Sequence, residues 1–134
     1  MIKINRYKYR IEDSDQKLAE ENNWNDTENT YIGNLGEIAV SKYLDLNEWT
    51  VVEKAVSDII DDEGNRIQVK STKNSFAKKR FWLEQKENLE FDRYIFCLID
   101  EEEKFATVEA DMLTEIAHSN FHIYKNLKAI YRRK

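Results

Sequence analysis

Residues 57–72 read "SDIIDDEGNRIQVKST". Two short apolar runs, Ile59–Ile60 on one side and Ile67 with Val69 on the other, flank an acidic turn that contains Gly64. Both runs carry polar residues where a plain hairpin would bury hydrophobes: Asp58 in the first, Gln68 and Lys70 in the second. Loop length decides whether these groups meet. A three-residue loop, Asp62-Glu63-Gly64 with Gly64 left-handed, pairs Asp61 with Asn65. Counting back along that ladder, Asp58 falls opposite Gln68. Gln68 and Lys70 share a face because strand side chains alternate with period two. Asp58, Gln68 and Lys70 then converge, while Ile67 and Val69 point the other way into the core. A two- or four-residue loop splits the group, and Gly64 at the third loop position favours the converging register.

Working outward, the spacing of Ile32, Leu35, Ala39, Tyr43 and Leu46 predicts a helix over 28–46. A shorter helix is expected over 14–23, capped by Ser14, after an extended segment at 1–10. Strands are expected at 49–54, 56–60, 66–71, 80–85, 92–99 and 104–110, with a last strand or extended tail at 127–133. The turn "DEEE" (100–103) reads as solvated, and 110–119 reads as a helix. The order of helix, several strands and helix implies an α/β fold, a mixed sheet flanked by helices.

The chain has 134 residues, no proline, no repeat and three glycines, so a single domain over 1–134 is expected. Apolar residues at 41% supply a core, and charged residues at 35% exceed the usual level of about 25%. No apolar run approaches the roughly 20 residues that span a bilayer. The N-terminal "MIKINRYKYR" lacks the apolar centre of a secretory signal. The lone cysteine, Cys97, lies in the apolar run "RYIFCLID", where burial in a strand is the ordinary reading. A cytoplasmic protein is expected.

The net charge of −5 is unevenly spread. Residues 1–10, 64–83 and 121–134 hold four, six and five Lys or Arg and no acid. Those 44 residues carry +15, and the other 90 carry −20. Such segregation reads as a basic face on an acidic body, against the alternative of chance clustering of solvated side chains.

Glu37 lies on the margin of the apolar stripe of helix 28–46. Gly33 and Gly36 each cost that helix roughly 1 kcal/mol against alanine, which suggests close approach to another element. Glu37 could then reach over the sheet toward Asp58. Two carboxylates, the Gln68 carboxamide and a backbone carbonyl make an all-oxygen donor set suited to Mg2+ or Mn2+. Lys70 beside such an ion could orient a water or offset charge on a phosphate. The plainer alternative is Asp58 exposed on an edge strand with Lys70 as its ion-pair partner. His118 and His122 read as surface or helix-end residues. Trp24, Trp49 and Trp82 read as core or interface aromatics; Trp82 and Phe76 adjoin the basic run, where stacking on bases is a lesser alternative.

The stretches "GNLGEIAVSKYL", "SDII" and "IQVKST" together resemble the PD-(D/E)xK nuclease superfamily, which includes many restriction endonucleases, junction resolvases and some homing endonucleases. The resemblance covers about residues 28–110. It implies a restriction-endonuclease-like fold, a central mixed sheet flanked by helices, and Mg2+-dependent cleavage of phosphodiester bonds. Carried over by position, Glu37 and Asp58 are metal-linked carboxylates, Gln68 takes the place of the usual acidic ligand, the Val69 carbonyl is a further ligand, and Lys70 is the catalytic lysine. Ser57 stands where the family has proline. Gln68 replaces a carboxylate with a neutral amide, so metal affinity leans more on Glu37. The expected activity is that of a DNA endonuclease, with Lys73, Lys78, Lys79, Arg80, Arg132, Arg133 and Lys134 on the phosphate backbone. Cutting both strands needs two sites, so a homodimer or higher oligomer is expected. The alternative is a module that keeps the fold and binds nucleic acid or protein without cutting.

Overall fold

The computed structural model describes residues 7–46, 59–73, 92–115 and Ala117. In chain order these form β1 (Tyr7–Arg10), α1 (Asp13–Glu21), α2 (Glu28–Tyr43), β2 (Ile59–Ile60), β3 (Arg66–Lys73), β4 (Arg93–Asp100) and β5 (Phe105–Leu113). The strands make one mixed sheet in the order β1-β5-β4-β3-β2, with β3 and β4 parallel and the other pairs antiparallel. The class is therefore α/β. The strands expected at 49–54, 80–85 and 127–133 lie outside the described residues.

Both helices start on side-chain caps. The Glu12 backbone N–H donates to Asp15 Oδ2 at 2.9 Å, so α1 begins at Asp13 with Glu12 as its cap, two residues before the expected cap Ser14. Thr27 Oγ1 accepts from the Thr30 N–H at 3.3 Å and opens α2. This helix stops at Tyr43, short of Leu46. Asp45 turns left-handed (φ 58°), Leu46 N–H donates to the Ser41 carbonyl at 2.9 Å, and Asp45 N–H donates to the Lys42 carbonyl at 3.1 Å. That is a Schellman closure with aspartate where glycine is usual, so no glycine marks the stop.

Helix α2 lies on the sheet face that carries Ile67, Val69, Ile95, Cys97, Ile99, Ala106 and Val108. Leu35, Ile38, Ala39 and Val40 pack against these residues, and all are buried. The close approach expected of the helix glycines holds for one of the two. A methyl on Gly36 would come within 1.7 Å of Ser71 Oγ and 2.9 Å of Ser71 Cβ, whereas Gly33 has nothing within 4 Å. Buried Asn34 ties α1 to α2 by donating to the Ala19 and Asn22 carbonyls at 3.0 and 3.2 Å.

Strand β4 is buried on both faces, as its unbroken apolar run requires. Tyr94, Phe96 and Leu98 occupy the face away from α2 and are as buried as Ile95, Cys97 and Ile99. Desolvation raises the Cys97 thiol pKa far above its ordinary value, with nearby Glu109 adding to the rise. The thiol is therefore kept protonated, a packing group rather than a nucleophile.

The expectation of a helix over 110–119 is corrected. Ala110–Leu113 belongs to β5, and helical residues begin only at Thr114. The cause is pairing. Ala110, Asp111, Met112 and Leu113 sit opposite Phe96, Ile95, Tyr94 and Arg93, and these long-range partners outweigh the local helical preference of "ADML". The register shifts between Phe96 and Cys97, which leaves Glu109 between the paired residues Val108 and Ala110, fully buried. The solvated turn expected at 100–103 leads from β4 into β5, and Glu101, Glu102 and Glu103 in it are exposed.

Candidate functional site: the β2–β3 hairpin and the faces of β3

The hairpin forms in the register expected of the three-residue loop Asp62-Glu63-Gly64. Ile59 pairs with Ile67 and Ile60 with Arg66, Asp61 N–H donates to the Asn65 carbonyl at 3.0 Å, and Gly64 is left-handed with φ +83°. Asp61 organises the loop. Its Oδ1 accepts from Glu63 N–H at 3.0 Å and Asn65 N–H at 2.8 Å, and its Oδ2 accepts from Asn65 Nδ2 at 3.0 Å. Burial pushes the Asp61 carboxyl pKa upward, but the hydrogen bonds from Asn65 and Glu63 and the charge of Arg93 outweigh it, and the net displacement is downward.

A depressed carboxyl pKa contributes stability above the unfolded value, about 3.9, and loses it as pH falls through the folded value. The urea midpoint of the wild type is therefore expected to drop as pH is lowered from about 5 toward 3. Asp61→Asn should drop by visibly less over the same range. Parallel curves for the two proteins would exclude a role for this carboxylate in acid stability.

Strand β3 distributes the candidate residues. Ile67 and Val69 are buried toward α2, and Ser71 touches Gly36 of that helix. Alternation then places Gln68 and Lys70, both half-buried, together on the other face, beside the fully buried Tyr94 and Phe96 of β4. Gln68 and Lys70 therefore share a face as expected. Glu37 is half-buried on α2, the helix that covers the opposite face. The helix that carries Glu37 and the Gln68–Lys70 pair thus lie on different faces of β3. Asp58 lies outside the described residues, as do Lys78, Lys79, Arg80, Arg132, Arg133, Lys134, His118, His122, Trp49, Phe76 and Trp82.

Lys73 is three residues beyond Lys70 and so turns to the α2 side. Its ammonium meets Glu28 Oε1 at 3.2 Å at the start of that helix. The hydrogen bond that the ammonium donates to Glu28, with the charge of Glu101 adding to it, raises the Lys73 pKa.

A divalent ion needs several hard oxygen donors. Among the described residues no three of His, Cys, Asp and Glu come together as a metal-holding group. Gln68 and the Val69 carbonyl have the right donor chemistry but carry no charge, so the expected set depends on Asp58 and on Glu37 reaching past the edge of β3.

One charged cluster at the start of β3 and β4 was not foreseen. Arg93 grips Asp111 with two nitrogens: Nε to Oδ1 at 2.9 Å, and Nη2 to Oδ2. Arg93 Nη1 also stands 3.8 Å from Asp61 Oδ2. Tyr43, at the end of α2, donates its hydroxyl to Asp111 Oδ2 at 2.8 Å. Beside it, Asp92 Oδ2 accepts from Arg66 N–H at 2.8 Å, and Asp92 N–H donates to the Arg66 carbonyl at 2.7 Å. Burial opposes the Arg93 charge, yet its bonds to Asp111 outweigh the cost and its pKa is raised. Burial, then the bond to Asp111, pushes the Tyr43 phenol well above its ordinary value. This cluster joins α2, β4, β5 and the hairpin loop. It is a lock on the frame that carries Gln68 and Lys70, lying about 13 Å along β3 from Lys70 at 3.3 Å per residue.

No family model and no curated protein matches the chain. Among the described residues no helix is long and apolar enough to cross a membrane.

Proposed function

We propose that the protein is a metal-dependent DNA endonuclease of the PD-(D/E)xK type, with a restriction-endonuclease-like fold and a cytoplasmic setting. The observation that supports this reading is the hairpin: the Ile59–Ile67 register, fixed by left-handed Gly64, and Gln68 with Lys70 on one face of β3. On this reading Asp58 is the next rung, opposite Gln68. Asp58, Glu37, Gln68 and the Val69 carbonyl would hold Mg2+ or Mn2+. The ion, when bound, would polarise the scissile phosphate and acidify a water. Lys70 would donate to that water or to a phosphate oxygen, holding the nucleophile in line and balancing developing negative charge. Tyr94 and Phe96 beside it exclude water from one side, which strengthens such an electrostatic contact. Lys73, Lys78, Lys79, Arg80, Arg132, Arg133 and Lys134 would contact phosphates, and a homodimer would supply the two sites that double-strand cleavage needs.

Supercoiled, linear and four-way-junction DNA incubated with Mg2+ or Mn2+ tests the proposal. The wild type is expected to cut at least one substrate. Lys70→Ala and Asp58→Ala should each lose on the order of 10²-fold or more in rate, with thermal midpoints close to wild type. Intact DNA in every lane would remove the enzyme reading.

A second reading, a nuclease-fold module that binds DNA without cutting, is favoured by one observation. Glu37 stands on the helix that covers the sheet face away from Lys70. Salt-dependent DNA binding that persists in Lys70→Ala and Asp58→Ala, without cleavage by wild type, would identify it.

A further inference from the structure

The face of β3 that carries Gln68 and Lys70 holds two more side chains. The ladder to β4 runs unbroken from Ile67 to Lys73, so alternation puts Arg66 and Thr72 on that same face, one at each end. Along the strand the face reads Arg66, Gln68, Lys70, Thr72. Each of the four ends in a hydrogen-bond donor, and none is an acid. The core does not ask for such a row. Directly across from Gln68, Lys70 and Thr72 on β4 stand Tyr94, Phe96 and Leu98, all buried. Beside those neighbours, apolar residues at 68, 70 and 72 would serve folding better. Polar choices that the fold does not favour are expected where a chain serves a ligand.

The ends of the row are open to a ligand. Among the described residues no hydrogen bond reaches the Thr72 hydroxyl or the Gln68 carboxamide, and both side chains are half-buried, with part of their surface toward solvent. Arg66 is loosely held. Its Nε stands 3.9 Å from Asp92 Oδ2, a carboxylate that already accepts the Arg66 N–H at 2.8 Å, and its side chain is 42% exposed. Lys73, next in the chain, faces α2 and meets Glu28, so Thr72 is the last donor of β3 on this face.

We propose that this face of β3 is a track for one strand of DNA, with Thr72 donating its hydroxyl to the phosphate beside the one at Lys70 and Arg66 neutralising a phosphate farther along. Side chains two apart on a strand are about 6.6 Å apart. A row of donors at that interval matches an extended, repeating anion and not a single small one. Neutral donors to phosphate oxygens fix the register of a nucleic-acid strand, while the cations supply most of the affinity. The inference rests on the DNA reading given above, whether or not the bound DNA is cut. It adds two residues to that reading, since the expected phosphate contacts all lie at position 73 or beyond.

The test is the anisotropy of a fluorescein-labelled DNA duplex titrated with the full chain, in EDTA and again in Ca2+, a hard cation that takes oxygen ligands. Thr72→Val keeps the side-chain shape and suits a strand. It is expected to bind about tenfold more weakly, the loss of one hydrogen bond to a charged oxygen, with the slope of log affinity against log salt unchanged. Thr72→Ser, which keeps the hydroxyl, should retain most of the affinity. Arg66→Gln should weaken binding and reduce the salt slope by about one. Ser71→Ala, whose hydroxyl faces α2, should bind as wild type does. Thermal midpoints of the Thr72 variants should stay close to wild type. Thr72→Val binding as tightly as wild type, or an unchanged slope in Arg66→Gln, would overturn the track and leave the proposed nuclease site standing. A lowered midpoint in Thr72→Val, with Thr72→Ser equally weak, would assign the hydroxyl to the fold and overturn the track as well. A wild type that binds no DNA in either buffer would overturn both the track and the DNA reading.

Discussion

Arg93→Ala is expected to destabilise the protein by about 3 kcal/mol, the cost of leaving a buried carboxylate without its cation. Asp111 is only 5% exposed, and three of its contacts come from two groups, Arg93 and Tyr43. Removing the guanidinium leaves the tyrosine hydroxyl as a lone neutral donor to a desolvated charge. Asp111→Asn should cost less, about 1–2 kcal/mol, because Arg93 is partly exposed and can hydrate one edge of its head, while the amide oxygen still accepts from Tyr43. In the double variant the charge is no longer orphaned, so the two losses should overlap rather than sum. Urea unfolding of the four proteins measures this directly. A loss below about 1 kcal/mol for Arg93→Ala, or strict additivity, would show that the cluster is a surface pair of little weight.

The second large effect is at Gly36. Alanine improves helix propensity by roughly 1 kcal/mol, so a helix that simply tolerated glycine would be stabilised. Gly33→Ala should behave that way, since a methyl there meets nothing within 4 Å. At Gly36 the new methyl would stand 2.9 Å from Ser71 Cβ and closer still to its Oγ. The hydroxyl can rotate, but the Cβ cannot move without shifting β3 or lifting α2. Overpacking of this kind costs about 1–3 kcal/mol, enough to outweigh the propensity gain. Gly36→Ala is thus expected to lower stability by about 2 kcal/mol while Gly33→Ala raises it.

Ser71→Gly should restore much of the Gly36→Ala loss, because it removes both clashing atoms. Ser71→Ala in the wild-type background should be neutral or mildly stabilising. Ser71 Oγ is buried without a hydrogen-bond partner, and deleting an unsatisfied hydroxyl recovers its desolvation cost. Equal effects of alanine at positions 33 and 36 would remove the close contact as the reason for glycine at 36.

Much of the frame was legible in local patterns. The apolar run at 92–99 gave a strand. The 3.6-residue spacing of Ile32, Leu35 and Ala39 gave α2. Gly64 at the third loop position gave the hairpin register. Each signal depends on a few neighbouring residues. The misses had non-local causes. "ADMLTEIAHS" looks helical in isolation, yet Ala110–Leu113 extends β5 because β4 offers it a complete ladder. Asp45 ends α2 in a conformation that glycine normally signals. Nothing near Arg93 in the chain points to Asp111, eighteen residues away, or to Tyr43 on another element.

Taken alone, the amino-acid order determined which residues share a face of β3, because side chains alternate along any strand whatever surrounds it. It therefore paired Gln68 with Lys70 and set Ile67 and Val69 against them. Only the tertiary structure decided which of those faces α2 would cover, and so on which side of β3 Glu37 would stand. Helix placement depends on where the largest continuous apolar surface forms, here across β3, β4 and β5 together, and no single segment carries that information.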